Sequence, residues 1–212
     1  MKMNFKKITG SSLIVAGILA ASASFAATQP TEVTKFNSKN TTDVFTVKTK
    51  AWSDPAFGGM GWTHSSDWGS VVAKKGENVT IKVVSQVAGI HPGVTVWYRG
   101  VEDTAPDSYV VDHFYSQYEN FIKIGATDET TGEKLGNIVM RIVARGYDLD
   151  GNTKNILRFK GVKDEVPGQF ELTFKAPKGG TYMFVVGGFN PDEGVDNTPK
   201  YNVDVTVTKT AP

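Results

Sequence analysis

Hydrophobic and polar residues alternate along six short stretches of the chain. The apolar positions are Phe45 and Val47; Val79, Ile81 and Val83; Val94, Val96 and Tyr98; Ile138, Met140 and Ile142; Phe170, Leu172 and Phe174; and Tyr201, Val203, Val205 and Val207. A period of two places one side of a strand in a core and the other side in water. Glycine and proline separate these stretches, and no window longer than about ten residues has a helical period. The pattern predicts an all-β fold, an antiparallel β-sandwich of the jelly-roll or immunoglobulin-like kind with long irregular loops.

The N-terminal stretch has the three parts of a secretory signal peptide. Three lysines among the first seven residues are followed by an apolar run over 13–21, and Ser24 and Ala26 supply the small residues of a cleavage site. We expect cleavage after Ala26, which leaves residues 27–212 as a single β-sandwich domain. The protein is then exported to the periplasm, the outer cell surface or the medium. Residues 27–42 are polar, and we expect a flexible arm or an irregular first connection there.

Composition narrows the function classes. The net charge is only +1, and the lysines of the signal peptide account for more than that, so no basic surface for nucleic acid is expected. The chain has no cysteine, and a metal site must therefore use histidine, methionine, carboxylates or less common ligands. It has no Gly-x-Ser-x-Gly, His-Glu-x-x-His or phosphate-loop motif, and we expect a binding protein and not an enzyme.

Two stretches resemble the β-sandwich domains found at the C-terminal ends of secreted bacterial peptidases. They are residues 76–98 and residues 170–207. The resemblance supports a sandwich but does not select a function, because sandwiches of this kind serve many roles.

A glycine-rich segment from Trp52 to Trp68 holds three of the four tryptophans of the chain. Within it, Met60, Trp62 and His64 are spaced by two, so that in an extended backbone their side chains point to the same side. Thioether and imidazole groups both bind copper, and a tryptophan face stabilises a nearby cation. Taken alone, the spacing is more typical of a strand end with Trp62 in the core and His64 half-exposed.

The sequence Trp62-Thr63-His64, in an exported chain without cysteine, resembles the copper-binding CorA and MopE family of methane-oxidising bacteria. In that family a Trp-x-His pair and a distant second histidine hold one copper ion, and the tryptophan is oxidised to kynurenine. The resemblance implies that Trp62 is the modified ligand and His64 the first imidazole. It leaves His91 and His113 as candidates for the second imidazole, and the separation from His64 favours His113. Two imidazoles and one weak nitrogen suit Cu(I).

The resemblance implies a secreted or surface-associated protein for copper capture or storage, peripherally associated with the outer membrane. An exported structural sandwich, with Trp52 or Trp68 stacking on sugars or a partner protein, is an alternative. A copper chaperone that holds Cu(I) with Met60, His64 and an intact Trp62 is another. The sequence leaves the oligomeric state open.

Two acidic stretches are weak candidates for Ca²⁺. Residues 148–152 have the start of a calcium loop, but their glycine comes two places early and the twelfth position, Phe159, is not a carboxylate. Asp150-Gly151 is also a good hairpin turn. Asp192, Glu193 and Asp196 form a second acidic loop, for which a solvated loop is the simpler interpretation.

Overall fold

The computed structural model describes residues 31–48, 67–110, 120–150, 161–189 and 200–212, and all regular elements in these ranges are strands. None of the described residues forms a helix long and apolar enough to cross a membrane. The strands build two sheets that pack face to face, and the prediction of an all-β sandwich is confirmed.

The larger sheet has seven strands in the spatial order β1-β3-β10-β5-β7-β6, with β8 beside β7. Its strands are β1 (Val33–Phe36), β3 (Asp67–Ala73), β5 (His91–Arg99), β6 (Phe121–Thr127), β7 (Lys134–Asp148), β8 (Gly161–Val162) and β10 (Gly180–Phe189). Most neighbours are antiparallel, but β1 runs parallel to β3 and β8 runs parallel to β7.

The smaller sheet has four strands in the order β2-β11-β4-β9, and all of its pairs are antiparallel. Its strands are β2 (Thr42–Lys48), β4 (Asn78–Ser85), β9 (Gln169–Lys175) and β11 (Lys200–Thr210). Each contains one of the alternating stretches of the sequence. Along β11, Val203, Val205 and Val207 are buried between the sheets, while the residues between them are exposed or half-buried.

The described part of the polar N-terminal stretch is more ordered than the sequence indicated. The expected arm or irregular connection is wrong for residues 33–36, which pair with residues 68–71 of β3 as strand β1. Phe36 explains the difference, because it is buried and its ring lies 5.5 Å from that of Phe184 in the core. Val33, at the other end of β1, packs beside Trp68 and its neighbours.

Both faces of the seven-stranded sheet are covered by apolar side chains. Along β10, Tyr182, Phe184 and Val186 point into the core between the sheets, which we call the inner core. Met183 and Val185 point to the opposite face and belong to a second cluster, here called the outer cluster. Its buried members are Trp68, Trp97, Ala105, Val110, Ala126, Leu135, Ile138, Met140, Tyr147, Met183 and Val185.

Several chain ends meet at one end of the sandwich. Asp67, the first residue of β3, pairs with Val186 of β10. Val186 in turn pairs with Val94, near the start of β5. On the other side of β5, Gly93 pairs with Tyr147 near the end of β7. The connection from β2 to β3, which contains Trp62 and His64, therefore returns to the sheet at the end where β5 begins and β7 stops.

Candidate metal centre

The four residues that the sequence singles out most strongly for copper lie outside the described ranges. They are Met60, Trp62 and His64 in the connection between β2 and β3, and His113 in the connection before β6. The structure does show the residues from which both connections start and to which they return.

Asp67 fixes the point at which the tryptophan-rich connection returns to the sheet. Its Oδ2 atom accepts hydrogen bonds from the backbone N–H of Thr46, at 2.7 Å, and from the Thr46 hydroxyl, at 3.2 Å. Thr46 is in β2, two residues before that strand ends, and so this contact joins the two sheets beside both ends of the connection. Asp67 follows His64 by three residues in the sequence.

Trp68, the next residue, anchors β3 in the outer cluster. It is 4% exposed and packs against Trp97 of β5, with ring centroids 5.6 Å apart. The prediction of an exposed sugar-stacking surface included Trp68, and its burial removes it from that role. Trp52, the other tryptophan considered for stacking, lies outside the described residues.

The segment before His113 is anchored in the same cluster. Val110 is a buried member of it, and Tyr109 donates a hydrogen bond from its hydroxyl to Oδ2 of Asp128 at 2.8 Å. Backbone N–H donation, above all from Thr131, and the Tyr109 hydroxyl bond hold the pKa of Asp128 below its usual value. The same hydroxyl bond raises the pKa of Tyr109. Tyr109 is thus fixed to the turn after β6.

The described residues that flank the two predicted histidine segments belong to one cluster. Trp68 follows His64 by four residues in the sequence, and Val110 precedes His113 by three. Both Trp68 and Val110 are buried members of the outer cluster.

His91 has a different environment. Its side chain is buried at the start of β5, and its Nδ1 atom lies 2.8 Å from Oδ2 of Asp148. The same Asp148 oxygen accepts the N–H of Gly168 at 2.6 Å, and Oδ1 accepts the N–H of Asp150 at 2.8 Å. A histidine oriented by a carboxylate is also typical of metal ligands, which would bind through Nε2.

The described residues around His91 do not supply the remaining ligands of a metal site. Within the described ranges, no group of three or more histidine or carboxylate side chains is arranged to hold a metal ion. The carboxylate of Asp150 accepts the N–H groups of Asp164 and Glu165 at 2.6 and 3.0 Å. Asp148 and Asp150 therefore serve as acceptors for a buried network of hydrogen bonds, and nothing in it supports the suggested calcium loop. The second acidic stretch, Asp192 to Asp196, lies outside the described ranges.

Comparison with known proteins identifies the family. The model of the copper(I)-binding CorA-like proteins matches residues 24–196, which is most of the chain. The chain belongs to this family. Membership in the CorA-like family confirms the resemblance based on Trp62-Thr63-His64. It also confirms that the protein is a binding protein and not an enzyme.

Solved structures agree with this assignment. CorA of Methylomicrobium album BG8, a surface-associated copper-binding protein important in copper acquisition there, is 34% identical to the CorA-like chain, with a TM-score of 0.72. The match covers 85% of this chain and 99% of that one. The secreted protein MopE of Methylococcus capsulatus, in which an oxidised tryptophan facilitates copper binding, shares the fold with a TM-score of 0.53 and 18% identity. That match covers 85% of this chain and 99% of MopE. No curated protein sequence matches the chain.

Sequence reasoning missed the long-range contacts of Asp67 and Asp148. Asp67 was noted only as part of the tryptophan-rich segment, and Asp148 only as part of a calcium-like loop. The partner of Asp67 is 21 residues away and that of Asp148 is 57 residues away, and neither contact follows from local spacing. The only local signal was the position of Asp67 directly before an apolar strand.

Proposed function

We propose that this protein binds a single copper ion, as Cu(I), through His64, His113 and Trp62 oxidised to kynurenine. It is exported to the cell surface or secreted, and it captures or stores copper there. The proposal combines membership in the CorA-like family with the way in which the described residues hold the two histidine segments. Copper is the cargo of the protein and takes part in no catalytic cycle.

The observation that carries the ligand assignment is the shared attachment of the two segments. Trp68 follows His64 by four residues and Val110 precedes His113 by three, and both are buried in the outer cluster. His91 enters the sheet from another connection, the one between β4 and β5. This favours His113 over His91 as the second imidazole.

The ligand set suits monovalent copper. Cysteine is absent, so the soft thiolate ligands that most often select Cu(I) are not available. Two neutral imidazoles and one amine nitrogen give a low coordination number, which Cu(I) accepts. An intact indole nitrogen is a poor donor because its lone pair belongs to the aromatic ring. Dioxygen would open the pyrrole ring of Trp62, and hydrolysis would then release one carbon as formate and leave an aromatic amine in place of the indole nitrogen.

Export is supported by the N-terminal pattern and by the relatives. Residues 1–26 have the order of charge, apolar run and small residues of a signal peptide. CorA of Methylomicrobium album BG8 is surface-associated, and MopE of Methylococcus capsulatus is secreted. In the exported compartment the mature domain, residues 27–212, meets copper before it enters the cell, which fits capture or storage.

Native intact mass spectrometry of the protein from its own source tests the proposal. The expected result is one bound copper ion per chain, together with replacement of one carbon by one oxygen, the change from tryptophan to kynurenine. Peptide mapping must then place this change on Trp62. A copper-loaded protein with intact Trp62 would refute the kynurenine ligand, and a chain that holds no copper would refute the function.

Substitution separates the ligand candidates. We expect His64→Ala and His113→Ala each to weaken copper binding strongly, while His91→Gln leaves one copper per chain. Met60→Ala is the control for the chaperone alternative, in which Met60 is a ligand and Trp62 stays intact. If Met60→Ala abolishes binding and Trp62→Phe only weakens it, the chaperone alternative is correct and the proposed ligand set is wrong.

A further inference from the structure

Arg99, the last residue of β5, holds the loop that leads toward His113. Its side chain is buried, and its Nε and Nη2 atoms donate to the two carboxylate oxygens of Asp103 at 2.9 and 2.6 Å. The Nη groups also donate to four backbone carbonyls, those of Ala105, Pro106, Asp107 and Tyr109, at 3.3, 3.4, 3.1 and 3.2 Å. The guanidinium of Arg99 therefore hydrogen-bonds to the backbone at four positions of the loop formed by residues 100–110.

The same loop is fastened to β7. Asp103 accepts the backbone N–H of Val139 at 2.7 Å through the oxygen that also binds Nε of Arg99. The N–H of Ala105 donates to the carbonyl of Asn137 at 3.0 Å, and the Thr104 hydroxyl accepts the N–H of Asn137 at 2.8 Å. The path of residues 100–110 over the outer face of the sheet is consequently fixed by hydrogen bonds at several points.

This fixed path ends three residues before His113, the second predicted imidazole, in the sequence. Val110 is 2% exposed and begins the connection that contains His113, three residues further on. The connection ends at Asn120, whose Oδ1 atom accepts the N–H of Ile142 in β7 at 3.0 Å. Both ends of the connection are thus held against the seven-stranded sheet, and the end nearer to His113 is the one that Arg99 organises.

We propose that Arg99 is a positioning residue for the copper site, which acts by fixing the 100–110 loop and so the point from which His113 reaches the metal. This inference rests on the proposed function, since it needs His113 as a ligand. It goes beyond that function by assigning the geometry of the site to a buried ion pair, Arg99 with Asp103, that does not contact copper.

The planar fork of arginine is essential to this role. Arginine presents donors in a fixed plane that match a carboxylate and several carbonyls at once, whereas lysine is a single point charge on a flexible stem. Arg99→Lys keeps the charge opposite Asp103 but loses most of the carbonyl contacts. We expect it to lower copper affinity by at most about 10- to 100-fold, the range for losing a direct hydrogen-bond partner of a metal ligand, because Arg99 acts on His113 only through the backbone of the loop.

Controls separate positioning from general loss of stability. Tyr182→Phe removes a buried hydroxyl that donates to the carbonyl of Lys178 at 2.6 Å, and we expect it to lower the unfolding midpoint without changing copper affinity. Tyr109→Phe removes a matched contact between the loop and the turn after β6, the bond to Asp128, and we expect it to weaken copper binding. If Arg99→Lys does not fold, Asp103→Asn, which removes the carboxylate that Arg99 binds, replaces it in the same comparison.

A double-mutant cycle tests whether Arg99 affects copper affinity through His113. Copper(I) affinities of wild type, Arg99→Lys, His113→Ala and the double variant are measured by competition with a chelator, below every unfolding midpoint. If Arg99 acts through His113, Arg99→Lys weakens binding in the wild-type background and has no further effect in His113→Ala. X-ray absorption of copper-loaded Arg99→Lys should show a weakened or missing imidazole.

The possible outcomes distinguish the two proposals. Equal losses from Arg99→Lys in both backgrounds, or an affinity unchanged as in Tyr182→Phe, would overturn the positioning role while the proposed function stands. If His113→Ala itself leaves copper affinity unchanged, the proposed ligand set is wrong, and the role of Arg99 fails with it.

Discussion

The Nδ1 atom of His91 lies 2.8 Å from the carboxylate of Asp148, and the two side chains are 4% and 0% exposed. Two backbone N–H groups, of Gly168 and Asp150, donate to the same carboxylate. Since a carboxylate only accepts hydrogen bonds, Nδ1 of His91 is the protonated nitrogen. The pair joins the start of β5, the end of β7 and the loop before β9, and so it is a structural contact between three parts of the sandwich.

Loss of this pair should destabilise the fold and spare the copper site. Removing one partner of a buried polar pair leaves the other unsatisfied, and we expect Asp148→Ala to lower the free energy of unfolding by about 3 kcal/mol or more. His91→Gln keeps a donor of similar reach and should cost less. Denaturant titration measures the stability, and a copper titration of the folded variants should still give one equivalent. A His91→Gln protein of normal stability that no longer binds copper would show that His91 is the second imidazole.

Copper should stabilise the folded chain by mass action. A ligand that binds only the native state, at a free concentration about 100 times its dissociation constant, adds about 2.7 kcal/mol. For a domain of this size that corresponds to a rise in Tm of about 5–10 °C. Differential scanning calorimetry with and without Cu(I) measures the shift. His64→Ala, outside the inner core strands, should show no shift, and an equal shift in this variant would place the copper elsewhere.

The four strands of the smaller sheet, all predicted from the sequence, each have one buried side. Strand β5 was predicted as well, because the polar Thr95 stands between Val94 and Val96, although all three residues are buried. Val79, Ile81 and Val83 of β4 alternate with half-buried residues, and the period of two was visible. In β10 the run from Tyr182 to Val186 is buried on both sides, by the inner core and by the outer cluster. Such a strand has no alternation to detect, because every position is apolar. Strand β3 lacks the alternation for another reason, because Gly69 and Ser70 are buried while the apolar Val72 is exposed. Strand β1 is too short for a pattern.

The candidate site was predictable only as far as its local motif. Trp62-Thr63-His64 is contiguous and carries the family resemblance in the sequence itself. The choice between His91 and His113 was open, because the partner of a histidine depends on residues far along the chain. The pairing of β5 with β7 brings Asp148 to Nδ1 of His91. No spacing in the sequence indicates that contact.

High pH should destabilise the protein through Tyr147. Burial raises the pKa of this tyrosine from 10.0 to about 12, so the folded chain keeps its phenol proton where the unfolded chain has lost it. The contribution to stability is complete below pH 10 and is lost as the pH rises toward 12. Tyr147→Phe removes the ionisable group, and its free energy of unfolding should fall less steeply over this range. Denaturant titrations of both proteins at several pH values measure the difference, and parallel curves would contradict the assignment.

Close packing at Gly69 should make that position intolerant of any side chain. A Cβ atom on Gly69 would lie 2.3 Å from Cζ of Phe184, a ring that is fully buried in the inner core. The ring cannot move away without displacing its neighbours, so we expect Gly69→Ala to cost about 1–3 kcal/mol of stability. Gly179→Ala is the matched control, because its Cβ would meet its nearest atoms at 3.7 and 3.9 Å. That change should alter stability by no more than about 0.5 kcal/mol. Thermal unfolding of both variants makes the comparison, and a Gly69→Ala protein as stable as Gly179→Ala would mean that Phe184 does not lie against β3.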